Sequence, residues 1–273
     1  MSVNAPPTTL IDGRPGASID VADRGLHYGD GLFETLRWEG GRVRWLQRHL
    51  HRLDDGCRRL NIAMPDPALL SAELQQVATG RGRALLKMII TRGAMQRRGY
   101  RPGGAQAPTR IVSAHEWPRD DGAPLSLGAS RIVLSHSPAL AGIKHLNRLD
   151  SVLAQREAAA NHCDEVVMCG SQGEAVCGSM SNLIICTEQG MLTPAVEVAG
   201  VRGVMRSLAL DAAGRCGLPL AITTLPGEQL LSAAAIYCSN VRWGLRRVGS
   251  FAGRTLGADP RIATLLEWID AQP

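Results

Sequence analysis

The sequence predicts a mixed α+β fold arranged as two domains. Three observations carry this. The strand-like runs LLKMIIT at 85–91 and TRIVSAHEW at 109–117 share a stretch with Leu46, Leu50, Leu53 and Leu60, whose spacing is helical. The segment PRDDGAP at 118–124 is polar and rich in breakers, so it reads as a linker. Beyond it, strand-like and helix-like stretches continue to the end of the chain. These signals divide the chain into a smaller α+β domain over 1–117, a linker over 118–124 and a larger domain over 125–273.

Taken in order, TLID at 9–12 reads as a short strand running into a turn at Gly13. Leu32 to Trp38 forms a second strand, and Gly40-Gly41 supplies the hairpin turn after it. From Trp45 the period changes to that of an amphipathic helix with arginines on its outer face. In the second part, ASRIVLSH at 129–136 is a strand, and Leu146, Leu149, Leu153 and Ala160 predict a helix through about Asn161. DEVVMC at 164–169 and NLIICT at 182–187 have the apolar content of central strands, and a helix is expected over about Gly200 to Arg215. AITTL and AAIYCS add two strands, and LLEWIDA closes the chain as a helix.

Composition narrows the function classes. With 45% hydrophobic and 20% charged residues over 273 positions, the chain is an ordinary globular protein, not a disordered or fibrous one. No run reaches the ~18–20 apolar residues that a membrane helix needs. The opening MSVNAPPTTLIDGRPG lacks the basic-then-apolar order of a secretory leader, so a cytoplasmic location is expected. Thirty basic residues against 25 acidic ones give a net charge of +5, without a lysine-rich tail or aromatic-basic interleaving. Local arginines therefore point to small anionic ligands and not to nucleic acid. Seven cysteines without a CxxC pair argue against both a disulfide framework and a structural zinc site.

The chemistry concentrates in a few motifs. AGIKHLNRLD at 141–150 places Lys144 after an apolar run and before the predicted helix. DRGLHYGDGLFETLR at 23–37, LQRHLHRLDDGCRRL at 46–60, TRG at 91–93 with RRGY at 97–100, GSMSNLI at 178–184 and AGVRGVMR at 199–206 complete an ordered series. This series resembles the aminodeoxychorismate lyases, members of the fold-type IV pyridoxal-phosphate enzymes alongside branched-chain and D-amino-acid aminotransferases. The TRG and RRGY elements and the lysine segment match the lyases in particular.

The resemblance implies a two-domain fold-type IV architecture, pyridoxal 5'-phosphate held between the domains, and a homodimer. It also implies conversion of 4-amino-4-deoxychorismate to 4-aminobenzoate and pyruvate in folate biosynthesis, with no separate metal. An aminotransferase acting on branched-chain or D-amino acids is the alternative. Lys144 falls at the position of the lysine that bonds the cofactor aldehyde and then moves protons, work that suits an amine kept partly neutral.

Arg52 falls at the phosphate-binding arginine, where a guanidinium fork makes paired charge-assisted bonds. The backbone amides of Val201 and Arg202 fall where the family cups the phosphate near a helix start, and the Asn240 side chain at a further phosphate contact. Tyr28, Arg92 and Tyr100 fall in elements near the substrate, although each has an equally simple role in packing or loop organisation. Asn147 is expected to share a helical face with Lys144, and His145 to point elsewhere.

One position departs from the family pattern. Where the family carries a glutamate beside the pyridine nitrogen, this chain carries Cys177. A neutral thiol supports ring protonation poorly. Glu174 lies an odd number of residues earlier and would face the other side of a strand, unless the backbone bulges. Lyase chemistry, driven by aromatisation, tolerates a weaker electron sink better than transamination does.

Overall fold

A computed structural model describes residues 8–95, 97–103 and 106–273. The opening residues 1–7, part of the segment read for a leader, lie outside the described residues. The chain divides into two compact units: one of 1–119 with Ile143–Asn147, the other of Asp120–Gly142 with 148–273.

The first unit contains β1 (Thr9–Ile11), β2 (Arg14–Pro15), α1 (Arg24–Tyr28), β3 (Gly31–Glu39), β4 (Arg42–Val43), α2 (Leu46–Leu60), α3 (Pro67–Ala78), β5 (Arg83–Thr91) and β6 (Thr109–Glu116). Its six-stranded sheet has the order β2-β1-β6-β5-β3-β4, with every pairing antiparallel. Alternation along β3 buries Leu32, Glu34, Leu36 and Trp38. Three of these are core residues in the ordinary sense, each stabilising by roughly 1.5–3 kcal/mol on burial. The fourth is a carboxylate. Gly40 and Gly41 turn the hairpin with φ of 61° and 77°, a region that suits glycine.

Helix α3 carries clear signals in the sequence. Asp66 accepts a capping bond from the Ala68 amide at 2.8 Å, Pro67 occupies the first turn, and Leu70, Leu74 and Val77 repeat at helical spacing into the core.

The second unit contains β7 (Leu125–Val133), α4 (Leu149–Ala160), β8 (Glu165–Cys169), β9 (Glu174–Gly178), β10 (Asn182–Cys186), β11 (Met191–Pro194), α5 (Val204–Cys216), β12 (Leu220–Thr223), β13 (Leu225–Pro226), β14 (Ala235–Asn240), β15 (Gly244–Phe251), β16 (Arg254–Thr255) and α6 (Arg261–Asp270), with a 3-10 turn at Gly227–Ser232. They build a ten-stranded mixed sheet of order β12-β11-β10-β14-β15-β7-β8-β9-β13, with β16 paired to β15. Strand β7 runs parallel to both β15 and β8.

The helix expected from Leu146 differs in extent. The helix after Lys144 begins only at Leu149, so Leu146 and Asn147 precede it. Its packed face is Ala154 and Ala158 against Val166 and Met168, while Leu149 and Leu153 are exposed. Small residues let the helix approach the sheet closely, and that governed the orientation more than the leucine spacing. Strand β15 carries Arg246 and Arg247 side by side, a pattern that hides it from hydropathy. In the fold, Arg246 pairs with Asp120 at 2.6 Å and Arg247 donates to the Leu256 carbonyl.

Candidate active site

Lys144 lies in an extended segment fastened to the start of β3. The Phe33 amide donates to the Lys144 carbonyl at 2.9 Å, and the Leu146 amide donates to the Gly31 carbonyl at 3.0 Å. These bonds place Lys144 Nζ 4.4 Å from the centroid of the Phe33 ring. The amine is half-buried over an aromatic face, where a cation is favoured by the ring and disfavoured by lost water.

The shared helical face expected for Lys144 and Asn147 does not exist, since neither residue is helical. Asn147 instead packs on Gly29 and donates to its carbonyl at 3.3 Å.

Arg52, on α2, is mostly buried and grips a single carboxylate. Its Nε donates to Glu34 Oε1 at 2.8 Å and its Nη2 to Glu34 Oε2. His49, one turn earlier on α2, brings Nδ1 to 2.6 Å from the same Oε2. Burial pushes the Glu34 carboxyl up, but the Arg52 charge and the bonds from His49 and Arg52 outweigh it and hold the group at about 2. Neither Glu34 nor His49 was singled out in the sequence. The signal was available: a glutamate in strand register with Leu32, Leu36 and Trp38 has to find a cation on the element packed beneath it.

Arg92 and the two tyrosines form a cluster in the first unit. Every nitrogen of the Arg92 fork donates to the protein: Nε and Nη2 to Asp30, Nη2 to the Leu60 carbonyl and Nη1 to the Asn61 carbonyl. These bonds tie the turn before β3 to the end of α2. Arg24 adds bonds from Nε to Asp30, from Nη1 to the Gly99 carbonyl and from Nη2 to the Tyr100 carbonyl. Its guanidinium also lies 4.8 Å from the Tyr28 ring centroid. Tyr28 and Tyr100 sit with ring centroids 5.4 Å apart, and Tyr100 is 85% exposed.

In the second unit, the turn at Gly200 to Gly203 leads into α5. Gly142 and this turn exchange two backbone bonds, Gly142 N to Gly200 O at 3.0 Å and Arg202 N to Gly142 O at 2.9 Å. The Arg202 amide thus donates within the protein, to the Gly142 carbonyl. The amides at the head of the turn's helix belong to Val204, Met205 and Arg206, with Gly203 at the N-cap and no side-chain cap. Asn182 Nδ2 donates to the Val201 carbonyl at 2.9 Å and fixes the turn from the side.

Cys177 is buried on β9 beside this turn, close enough for its Sγ to lie 3.7 Å from a Cβ placed on Gly200. The pairing of β8 and β9 does shift register between Met168 and Cys169. Even so, Glu174 folds back onto its own hairpin, accepting from the Gln172 amide at 3.0 Å and lying against Gly170.

The Asn240 side chain bonds the turn that follows it. Its Oδ1 accepts from the amides of Arg242 and Trp243 at 3.0 and 2.8 Å, and Nδ2 donates to the Met180 carbonyl at 3.4 Å. The adjoining Gly178–Ser181 turn wraps the buried Glu165, whose carboxylate accepts from Ser179 N and Oγ, Met180 N and Ser181 Oγ.

The amino-transferase class IV family profile matches residues 31–251. The crystal structure of 4-amino-4-deoxychorismate lyase from Pseudomonas aeruginosa superposes with a TM-score of 0.89 at 37% identity, covering 95% of this chain and 97% of that one. An aminodeoxychorismate lyase of Vibrio harveyi is 28% identical over 253 residues, 89% of this chain and 90% of its own. A bifunctional aminodeoxychorismate lyase / D-amino acid transaminase of Mycobacterium tuberculosis is 27% identical over 265 residues, 89% of each chain. On a profile match of this extent and that crystal-structure likeness, the chain belongs to the amino-transferase class IV family.

Proposed function

We propose that this protein is a pyridoxal-phosphate-dependent lyase that converts 4-amino-4-deoxychorismate to 4-aminobenzoate and pyruvate, a step towards folate. The likeness to the Pseudomonas lyase along almost the whole of both chains carries the reading. The residues fit the cofactor: a half-buried primary amine suits its aldehyde, and a buried guanidinium with an uncapped helix start suits its phosphate. When bound, pyridoxal phosphate supplies a conjugated electron sink for charge that develops at the substrate carbon next to the amine.

Lys144 is the residue that would hold the cofactor's aldehyde. Its Nζ would take the proton from substrate C4 and deliver a proton to the departing three-carbon unit. Arg52 holds the phosphate, with Glu34 fixing the plane of its fork. The turn carrying Val201 and Arg202 leads into α5, whose first amides suit a phosphate, and Asn240 and Asn182 keep the surrounding backbone in place. Cys177 is the residue that would face the cofactor ring. Tyr28 and Tyr100 cover the substrate, while Arg92 acts on it only through the loops it ties together.

The protein works in the cytoplasm, which suits seven cysteines outside any disulfide. No helix among the described residues is long and apolar enough to cross a membrane. It works as a homodimer, for which Leu149, Val152 and Leu153 on α4 offer exposed apolar surface.

The test is incubation of cofactor-loaded protein with 4-amino-4-deoxychorismate, following 4-aminobenzoate and pyruvate together. Borohydride reduction and peptide mapping of the cofactor adduct accompany it. Equal formation of both products, with the adduct on Lys144, is expected. Transfer of amino groups from branched-chain or D-amino acids to 2-oxoglutarate, without pyruvate from the chorismate derivative, would replace the lyase with the aminotransferase.

A further inference from the structure

We propose that His49 belongs to the phosphate site and takes up a proton at Nε2 when the cofactor's phosphate docks at Arg52. This rests on Arg52 being the phosphate-holding arginine. The geometry starts from Glu34, which is 1% exposed and shared by both helix residues. Held ionised at about 2, its carboxylate can only accept, so the proton in the bond to His49 resides on Nδ1. That leaves Nε2 as the ring's one remaining protonation site. This nitrogen is fully buried and has no hydrogen-bond partner among the described residues. A buried imidazole nitrogen without a partner is a group in search of one.

The charges facing His49 come from three elements: Glu34 on β3, Arg52 on α2 and Lys144 in the 143–147 segment. Burial lowers the affinity of the ring for a second proton, Glu34 opposes that, and Arg52 and Lys144 add to it. Without ligand the ring is therefore neutral. Burial is the largest influence, and with the Arg52 and Lys144 charges it outweighs the pull of Glu34 and keeps the imidazolium unfavourable. Phosphate reverses this balance. A dianion joins Arg52 beside an ionised glutamate, while the aldehyde engages the amine of Lys144. Uptake of one proton from solvent, N plus H⁺ giving N–H⁺, then relieves the excess negative charge and gives Nε2 a hydrogen to donate.

The experiment compares pyridoxal phosphate with pyridoxal, which has the same aldehyde and no phosphate, by titration calorimetry of apoprotein near neutral pH. Buffers of different ionisation enthalpy report the protons exchanged. The lysine chemistry is common to both ligands, and the ionisation of the free phosphate is measured separately. Their difference reads the phosphate-linked protons. The expected result is about one additional proton taken up with pyridoxal phosphate, and its disappearance in His49→Gln. No additional uptake, in protein whose adduct maps to Lys144, overturns the inference while leaving the proposed function intact. Uptake that persists unchanged in folded His49→Gln also overturns it. If His49→Gln does not fold, the wild-type difference alone decides. An adduct that fails to form on Lys144 counts against the proposed function instead.

Discussion

The Arg52 guanidinium spans both oxygens of the Glu34 carboxylate, with Nε on Oε1 at 2.8 Å and Nη2 on Oε2. The pair stands between the core face of β3 and the helix that supplies the candidate phosphate arginine. It orients the fork before any anion arrives, so less side-chain freedom is lost on binding.

Replacing Glu34 with glutamine leaves Arg52 buried without its counter-charge, and such a loss costs about 3–5 kcal/mol. Thermal melts should show Glu34→Gln strongly destabilised, with weaker retention of the cofactor. The pH dependence follows from the sign of the shift. Glu34 is held at about 2 in the folded protein, against 4.5 for the unperturbed carboxyl. Its contribution is thus complete above the higher value and is lost as pH falls towards the lower. Between these limits the stability of wild type should drop more steeply with acid than that of Glu34→Gln. Parallel acid limbs would remove Glu34 from the account.

How far the sequence reveals this site depends on the kind of information each residue carries. Lys144 and Arg52 lie in motifs that an ordered series of resemblances makes legible, and the alternating burial of β3 follows from its pattern. The partnership of Glu34 with His49 and Arg52 is a relation between a strand and a helix, which spacing within either element does not express. Arg202 and Asn240 show the converse. Their positions in the family pattern are plain, but the commitment of their polar groups to Gly142, Met180, Arg242 and Trp243 depends on how distant segments fold back. The orientation of α4 was missed because two alanines, weak in any hydrophobic count, decide its close packing.

Arg92 separates a loop-holding role from direct substrate contact. Arg92→Lys keeps the charge but cannot reproduce a fork that reaches Asp30 and the Leu60 and Asn61 carbonyls together. The expected outcome is a loss of about 1–3 kcal/mol in stability, with KM changed little at temperatures where the variant is folded. A KM raised by about a hundredfold, ~2.7 kcal/mol, without loss of stability would mean the fork serves the substrate.

Gly200 has a φ of +81°, and a Cβ there would meet Val176 Cγ1 at 3.0 Å. Gly200→Ala thus combines backbone strain of about 1–3 kcal/mol with a tight contact in the wall beside Cys177. Its effect should fall on the turn leading into α5, raising the dissociation constant for pyridoxal phosphate more than that for pyridoxal. Equal weakening of both ligands would show that the turn does not serve the phosphate.

Cys177 tests whether this chain suffers from lacking the family's carboxylate. The thiol is packed with Val176, Val196 and Ala199, and introducing a glutamate both crowds that cluster and brings a charge into it. Aromatisation of the product already drives elimination, so a stronger electron sink adds little to the lyase reaction. Cys177→Glu should leave lyase turnover unimproved, and the slower amino-transfer reaction, which depends more on the sink, is where any gain should appear. Parallel single-turnover measurements with 4-amino-4-deoxychorismate and with a D-amino acid distinguish these effects. A large rise in lyase turnover would show that the thiol limits the reaction after all.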